Sequence, residues 1–120
     1  MRIWIVPTSG TRHIWLMEAS NSTFVAQSYI SYRSWKEAYN AARNVWDMFK
    51  NRKWYRSEEE INGNWYWFVQ ANNGTKVVRS YKAFKTRKRA TESCNRCFKI
   101  FKAPTILIEA DQHTTGLYEI

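Results

Sequence analysis

Apolar residues alternate along the opening of the chain and then shift to helical spacing. Ile3 and Ile5 alternate with Trp4 and Val6, which predicts a first strand over Arg2–Val6. Pro7-Thr8-Ser9-Gly10 reads as a turn. A second strand is expected over His13–Ala19, with Trp15, Met17 and Ala19 on one face and Ile14, Leu16 and Glu18 on the other. Ser20-Asn21-Ser22 turns the chain into a third strand, Thr23–Ser28. Ser34 then precedes Trp35-Lys36-Glu37, a Ser-x-x-Glu capping box. Trp35, Ala38, Ala42, Val45, Trp46 and Phe49 follow as the apolar stripe of a helix.

The same pattern returns 52 residues later, where positions 13–50 fall on 65–102 without a gap and with 11 identities in 38 pairs. Trp15 falls on Trp67, Ala19 on Ala71, Ser28-Tyr29 on Ser80-Tyr81 and Ala38 on Ala90. A gapless match over strand, turn, strand and helix points to a repeated β-β-β-α unit and a pseudo-twofold fold. Asn72-Asn73-Gly74 is the hairpin signal of the second unit, and Thr86 caps its helix. Lys53–Ser57 is its expected first strand, and 58–63 its connecting loop. Thr105–Glu109 resembles the opening strand of a third, unfinished unit, with 116–120 as its hairpin partner. The expected architecture is one α+β domain spanning 1–120. Repeat one covers 1–51, repeat two 52–104 and a C-terminal strand and tail 105–120. The units share one antiparallel sheet with two helices on one face.

A unit near 50 residues builds only a marginal core alone, so two units sharing one interior is the economical solution. The chain is 17% aromatic with seven Trp, more than a small core requires, which sends some rings to a surface. No apolar run is long enough to span a membrane. The N-terminus is too short and lacks the cleavage pattern of a signal peptide, so a cytoplasmic protein is expected, in a host cytoplasm if phage-encoded.

The formal charge of +9 is unevenly placed. Residues 1–51 carry six basic and three acidic groups (+3), 52–104 thirteen and four (+9), and 105–120 none and three (−3). The second repeat therefore carries a field suited to polyanions: nucleic acid, nucleotides or an acidic protein face. Arg87, Lys88 and Arg89 crowd the start of its helix, where the dipole disfavours cations and a bound anion would offset them.

The stretch Trp67-Phe68-Val69-Gln70-Ala71-Asn72-Asn73-Gly74-Thr75-Lys76-Val77-Val78-Arg79-Ser80, with Tyr81 and a Thr86-capped helix, resembles the YegP-like family. The resemblance covers 12–50 and 64–102, and the first copy departs from it in lacking the turn Gly. It implies paired β-β-β-α units in one sheet. The family is a domain of unknown function, so the resemblance brings no activity, cofactor or catalytic residue. The extra Trp, the basic second repeat and the acidic tail depart from the family's balance and suggest a specialised member of phage or mobile-element origin.

Cys94-Asn95-Arg96-Cys97 lies two turns into a helix, and its cysteines align with Ala42 and Val45 of the buried stripe. Reduced core thiols are expected rather than a zinc half-site or a redox pair. No Ser, Cys, His and Asp constellation suggests an enzyme, and no cofactor or metal is implied.

The outer sheet face draws more interest. With Trp15 and Trp67 facing the helices, Ile14, Leu16, Tyr66 and Phe68 face away and are expected to be exposed. Lys76, Arg79, Lys82 and Lys85 lie on or beyond the neighbouring strand. Rings flanked by cations suit single-stranded nucleic acid. An apolar face equally suits a protein contact or a homodimer mate, which ranks slightly above base stacking on this pattern. The expected function is a non-enzymatic binding protein. Its basic, aromatic surface (Tyr66, Phe68, Lys76, Arg79, Lys82, Lys85, Arg87, Lys88, Arg89) engages nucleic acid or a nucleic-acid-handling protein. The alternatives are a phage-type inhibitor of a host defence or regulatory complex, and a nucleotide-binding module.

Overall fold

A computed structural model describes residues 2–19, 22–51, 54–101 and 107–109. The elements run β1 (Arg2–Pro7), β2 (His13–Glu18), β3 (Phe24–Ser28), α1 (Trp35–Lys50), β4 (Trp54–Ile61), β5 (Asn64–Ala71), β6 (Lys76–Ser80), α2 (Arg87–Phe101) and β7 (Leu107–Glu109). The protein is thus α+β. Its sheet order is β4-β5-β6-β3-β2-β1-β7, with every pairing antiparallel except β1 with β7, which is parallel. The expected partner strand at 116–120 and the Ser20-Asn21 half of the first turn lie outside the described residues.

The six antiparallel strands read the same from either end with the halves exchanged. At the centre, β3 meets β6 in the register Ala26↔Ser80, Gln27↔Arg79, Ser28↔Val78. Shifting each residue by 52 turns the first of these pairs into the third, so an approximate twofold axis passes between Gln27 and Arg79. Local contacts follow the same relation. The Trp15 and Trp67 amides each donate to a Ser hydroxyl, Ser28 and Ser80, at 3.3 Å. Isolated bridges join His13 to Tyr32 and Trp65 to Phe84.

Both helices cover one sheet face. The core between the layers holds Ile3, Ile5, Trp15, Met17 and Ala26 from one half of the sheet and Trp67, Val69 and Val78 from the other. The helices contribute Ala38, Ala42, Val45 and Phe49, with Cys94 and Cys97. Both thiols are free and buried, and burial pushes each up to about 12, with Arg56 pulling the other way on Cys94 and Arg96 on Cys97.

Ser34 caps α1, its hydroxyl accepting from the Glu37 amide at 3.1 Å. The return bond of a capping box is displaced by one residue: Glu37 accepts from the amide of Arg33 at 3.2 Å rather than from that of Ser34. Thr86 caps α2 through the Arg89 amide at 3.2 Å.

Two expectations are corrected. Residues 58–61 are not loop, because β4 runs to Ile61 and the turn is only Asn62-Gly63, with φ of 53° and 84°. Positive φ at both turn residues is the geometry a two-residue hairpin requires. The three glutamates suit the strand because β4 ends the sheet, where charge discourages pairing with other chains. Glu58 also accepts from the Thr91 hydroxyl at 3.0 Å, and Glu59 pairs with Lys76 at 2.6 Å.

The second correction concerns the outer face, which is not an open apolar surface. Ile14, Leu16 and Phe68 are 1%, 0% and 3% exposed. Ile14, Leu16 and Val6 form a second cluster, with Trp4 and Phe24 packed against it.

Candidate functional site: an aromatic and cationic cleft

Cross-strand register lays one row of side chains across the outer face: Ser57, Phe68, Arg79, Gln27, Leu16, Trp4. The approximate twofold pairs Arg79 with Gln27, Phe68 with Leu16 and Ser57 with Trp4. The next positions pair Tyr66 with Ile14 and Lys76 with Phe24. One backbone arrangement therefore carries two different surfaces.

Tyr29 and Tyr81 follow β3 and β6 and cross the axis. The Tyr29 amide bonds the Val77 carbonyl and the Tyr81 amide the Val25 carbonyl. Each ring then meets the opposite half. Tyr81 packs edge-on to Phe24 at 5.4 Å between centroids, and Tyr29 packs edge-on to Phe68 at 5.8 Å. In the first half the result is a sealed apolar cluster. In the second half Lys76 stands where Phe24 stands, and a cleft of about 340 Å³ remains, lined by Tyr29, Ile61, Tyr66, Phe68 and Arg79.

Cations hold the rings of the cleft. The Lys76 ammonium lies 4.4 Å from the Phe68 ring centroid and 5.7 Å from that of Tyr29. The Arg79 guanidinium lies 5.1 Å from the Tyr66 centroid. Such contacts are worth about 0.5–1 kcal/mol at exposed sites and more when water is excluded. Lys76 also binds Glu59, across from Tyr66, so its charge is largely spent locally. Arg79 has no carboxylate partner among the described residues; its Nε donates to the Ser80 carbonyl at 3.4 Å. The free positive charge of the cleft is therefore that of Arg79. Phe68 is the floor, while Tyr29 is 40% and Ile61 45% exposed at the mouth.

Of the residues expected from sequence, Tyr66, Phe68, Lys76 and Arg79 come together here. The others do not join them. Lys82 and Lys85 lie exposed between β6 and α2, and Lys88 and Arg89 are exposed on the first turn of α2. Arg87 lies 5.9 Å from the ring of Trp65, which alternation places on the helix face with Trp67. Tyr29, Glu59 and Ile61 were not anticipated. The Tyr29/Tyr81 identity marked Tyr29 in the sequence, but its crossing to Phe68 depends on β3 lying beside β6. Among the described residues no group of three or more His, Cys, Asp or Glu could hold a metal ion, and no helix is long and apolar enough to cross a membrane.

No protein-family profile and no curated protein matches the chain by sequence. Two solved structures match it in shape. One is the UPF0339 protein SO3888 from Shewanella oneidensis, with a TM-score of 0.72 over 97% of both chains at 14% identity. The other is yegP from E. coli, a protein of unknown function, with a TM-score of 0.64 over 92% of this chain and 94% of that one, also at 14% identity. The backbone likeness, spanning nearly every residue of three chains whose sequences have diverged this far, establishes that this protein has the YegP-like fold.

Proposed function

We propose that the protein is a non-enzymatic binding protein that takes single-stranded nucleic acid on the outer face of its second half. The observation that carries this is the contrast across the approximate twofold. Ile14, Leu16, Phe24 and Gln27 close one side, whereas Tyr66, Phe68, Lys76 and Arg79 keep the other as an aromatic cleft with cations at its rings. The second set gives up the apolar packing of the first, while a ligand with flat rings and phosphates would use its tyrosines and its unpaired guanidinium. Bases stack on tyrosine rings at about 1–3 kcal/mol each, and Arg and Lys pair with phosphates. Lys76 is paired with Glu59, so Arg79 carries the phosphate contact in this reading.

Ile14, Leu16 and Phe68 are themselves buried, so a protein partner or a dimer mate on this face would meet other side chains, Tyr29, Tyr55 and Ile61 among them. The remaining cleft, at about 340 Å³, is at the small end of ligand sites and fits one nucleotide unit at a time.

Fluorescence anisotropy with a labelled oligothymidylate at low salt tests this reading. Binding should weaken with salt, and Arg79→Ala should lower the slope of log K against log salt by about 0.7, one phosphate contact on a single strand. Absence of salt-dependent binding to oligothymidylate and to an RNA strand of mixed sequence would refute it.

A further inference from the structure

Among the described residues Glu59 is the acid that pairs with a cation of the cleft, reaching the Lys76 ammonium at 2.6 Å. The two stand on β4 and β6 with β5 between them, so the pair is made across β5. There the ammonium faces two of the rings that line the cleft, Phe68 at 4.4 Å and Tyr29 at 5.7 Å. Neither charge is closed off from solvent: the Lys76 side chain is 24% exposed and that of Glu59 41%.

The approximate twofold shows what the pair replaces. Glu59 stands where the first half has Val6, and Lys76 where it has Phe24, two residues of the sealed cluster. A solvated ion pair stabilises a fold far less than apolar side chains closed from water. Fold stability therefore does not account for the exchange. Nor does simple attraction of a polyanion, which would keep Lys76 and leave position 59 uncharged. An acid in contact with a cleft cation subtracts from the field of a basic surface.

We propose that Glu59 is a built-in competitor for phosphate: it holds Lys76, so that the cleft offers a strand one cation, Arg79, instead of two. This inference rests on the nucleic-acid reading above and names what limits the affinity of that site. A base meets the tyrosines and one phosphate meets Arg79, while Lys76 stays with its own carboxylate. The site holds a strand loosely, and its second phosphate contact is built but masked.

Glu59→Gln tests this, because it keeps the shape and removes the charge. The parent, Glu59→Gln, Lys76→Met and the double variant are titrated with labelled oligothymidylate over a range of salt. All four should melt within a few degrees of one another, since the pair is solvated. Glu59→Gln should bind about five- to tenfold tighter at low salt, and its slope of log K against log salt should steepen by about 0.7, the second phosphate contact. Lys76→Met should keep the slope of the parent, because its ammonium meets no phosphate there. Glu59→Gln added to Lys76→Met should leave the slope unchanged. If Lys76→Met flattens the slope, Lys76 already binds phosphate in the parent. If Glu59→Gln binds no tighter than the parent, or steepens the slope equally without Lys76, the acid masks nothing. Each of these results overturns the inference and leaves the nucleic-acid reading standing. A parent that binds neither oligothymidylate nor RNA overturns both.

Discussion

Trp15 and Trp67 occupy equivalent places at the centre of the core, and both are 0% exposed. They differ at one atom. The indole N–H of Trp67 donates to the Ser93 hydroxyl at 3.1 Å, while that of Trp15 has no partner. The residue of α1 that aligns with Ser93 is Ala41, a partly buried member of the same core. Ala41→Ser should therefore supply the missing acceptor. A buried donor left unpaired costs about 1–3 kcal/mol, and a new neutral hydrogen bond recovers on the order of 1–2 of that. Serine in place of alanine inside a helix costs about 0.5 kcal/mol. The expected net gain is about 1 kcal/mol, or about 3–5 °C in melting temperature for a chain of this size. The reverse change, Ser93→Ala, gains the helix term and strands the Trp67 N–H, for an expected net loss of about 1–2 kcal/mol. Urea unfolding of the parent and both variants reads the two numbers directly, provided the slope m is unchanged. If Ala41→Ser is neutral or destabilising while Ser93→Ala is also neutral, the indole hydrogens do not govern core stability and the reasoning is refuted.

Ser22 stands where the second half has Gly74, and it holds φ of 65° against 84° for the glycine. Ser22→Gly should stabilise by about 0.5–1 kcal/mol, the left-handed penalty less the entropy of glycine, and Gly74→Ser should cost a similar amount; thermal melts compare the pair. Cys94 and Cys97 should resist iodoacetamide in native protein at neutral pH and react fully in denaturant, since burial holds their pKa at about 12. The same shift makes stability pH-dependent. The unfolded thiols ionise near 9.0 and the folded ones near 12, so their contribution is full below 9.0 and is lost as pH rises towards 12. A Cys94→Ala/Cys97→Val variant, which copies the residues of α1, should lose less stability than the parent between neutral pH and pH of about 10, read by urea midpoints.

Elements with strong local signals were legible in the sequence. Alternation placed β1, β2, β3, β5 and β6 within a residue or two, and Ser34 and Thr86 marked the helix starts because each supplies a hydroxyl to an amide three residues on. β4 was read short because Glu58, Glu59 and Glu60 look like a solvated loop. At a sheet edge those same charges are tolerated, and the Asn62-Gly63 pair was the better guide. Four cleft residues were legible because alternation assigns faces. Burial of that face was not, since it depends on Tyr29 and Tyr81 crossing between halves, and the β3–β6 contact that lets them cross joins residues about fifty positions apart. The cations at the start of α2 stand apart from Lys76 and Arg79, because the chain passes from one layer to the other between Ser80 and Arg87, and nearness in sequence hides that passage.

The two outer surfaces explain how a small protein can hold an open cleft at all. A sheet of this length with two helices has one good core, between the layers, and its second face must be either polar or covered. Here the first half spends its outer face on stability, with Val6, Ile14 and Leu16 at 2%, 1% and 0% exposure. Each such side chain contributes about 1.5–3 kcal/mol of burial. The second half forgoes that gain. Ser57 and Glu59 stand where Trp4 and Val6 stand, and Lys76 replaces Phe24. Because β3 and β6 are bonded to each other, the apolar-packed half holds the strand from which Arg79 and Lys76 project. Tyr29, rooted in the first half, forms the near wall of the cleft. The cleft is thus braced from across the axis, which is the support a binding site needs if its own strand cannot pack an apolar cluster beneath it.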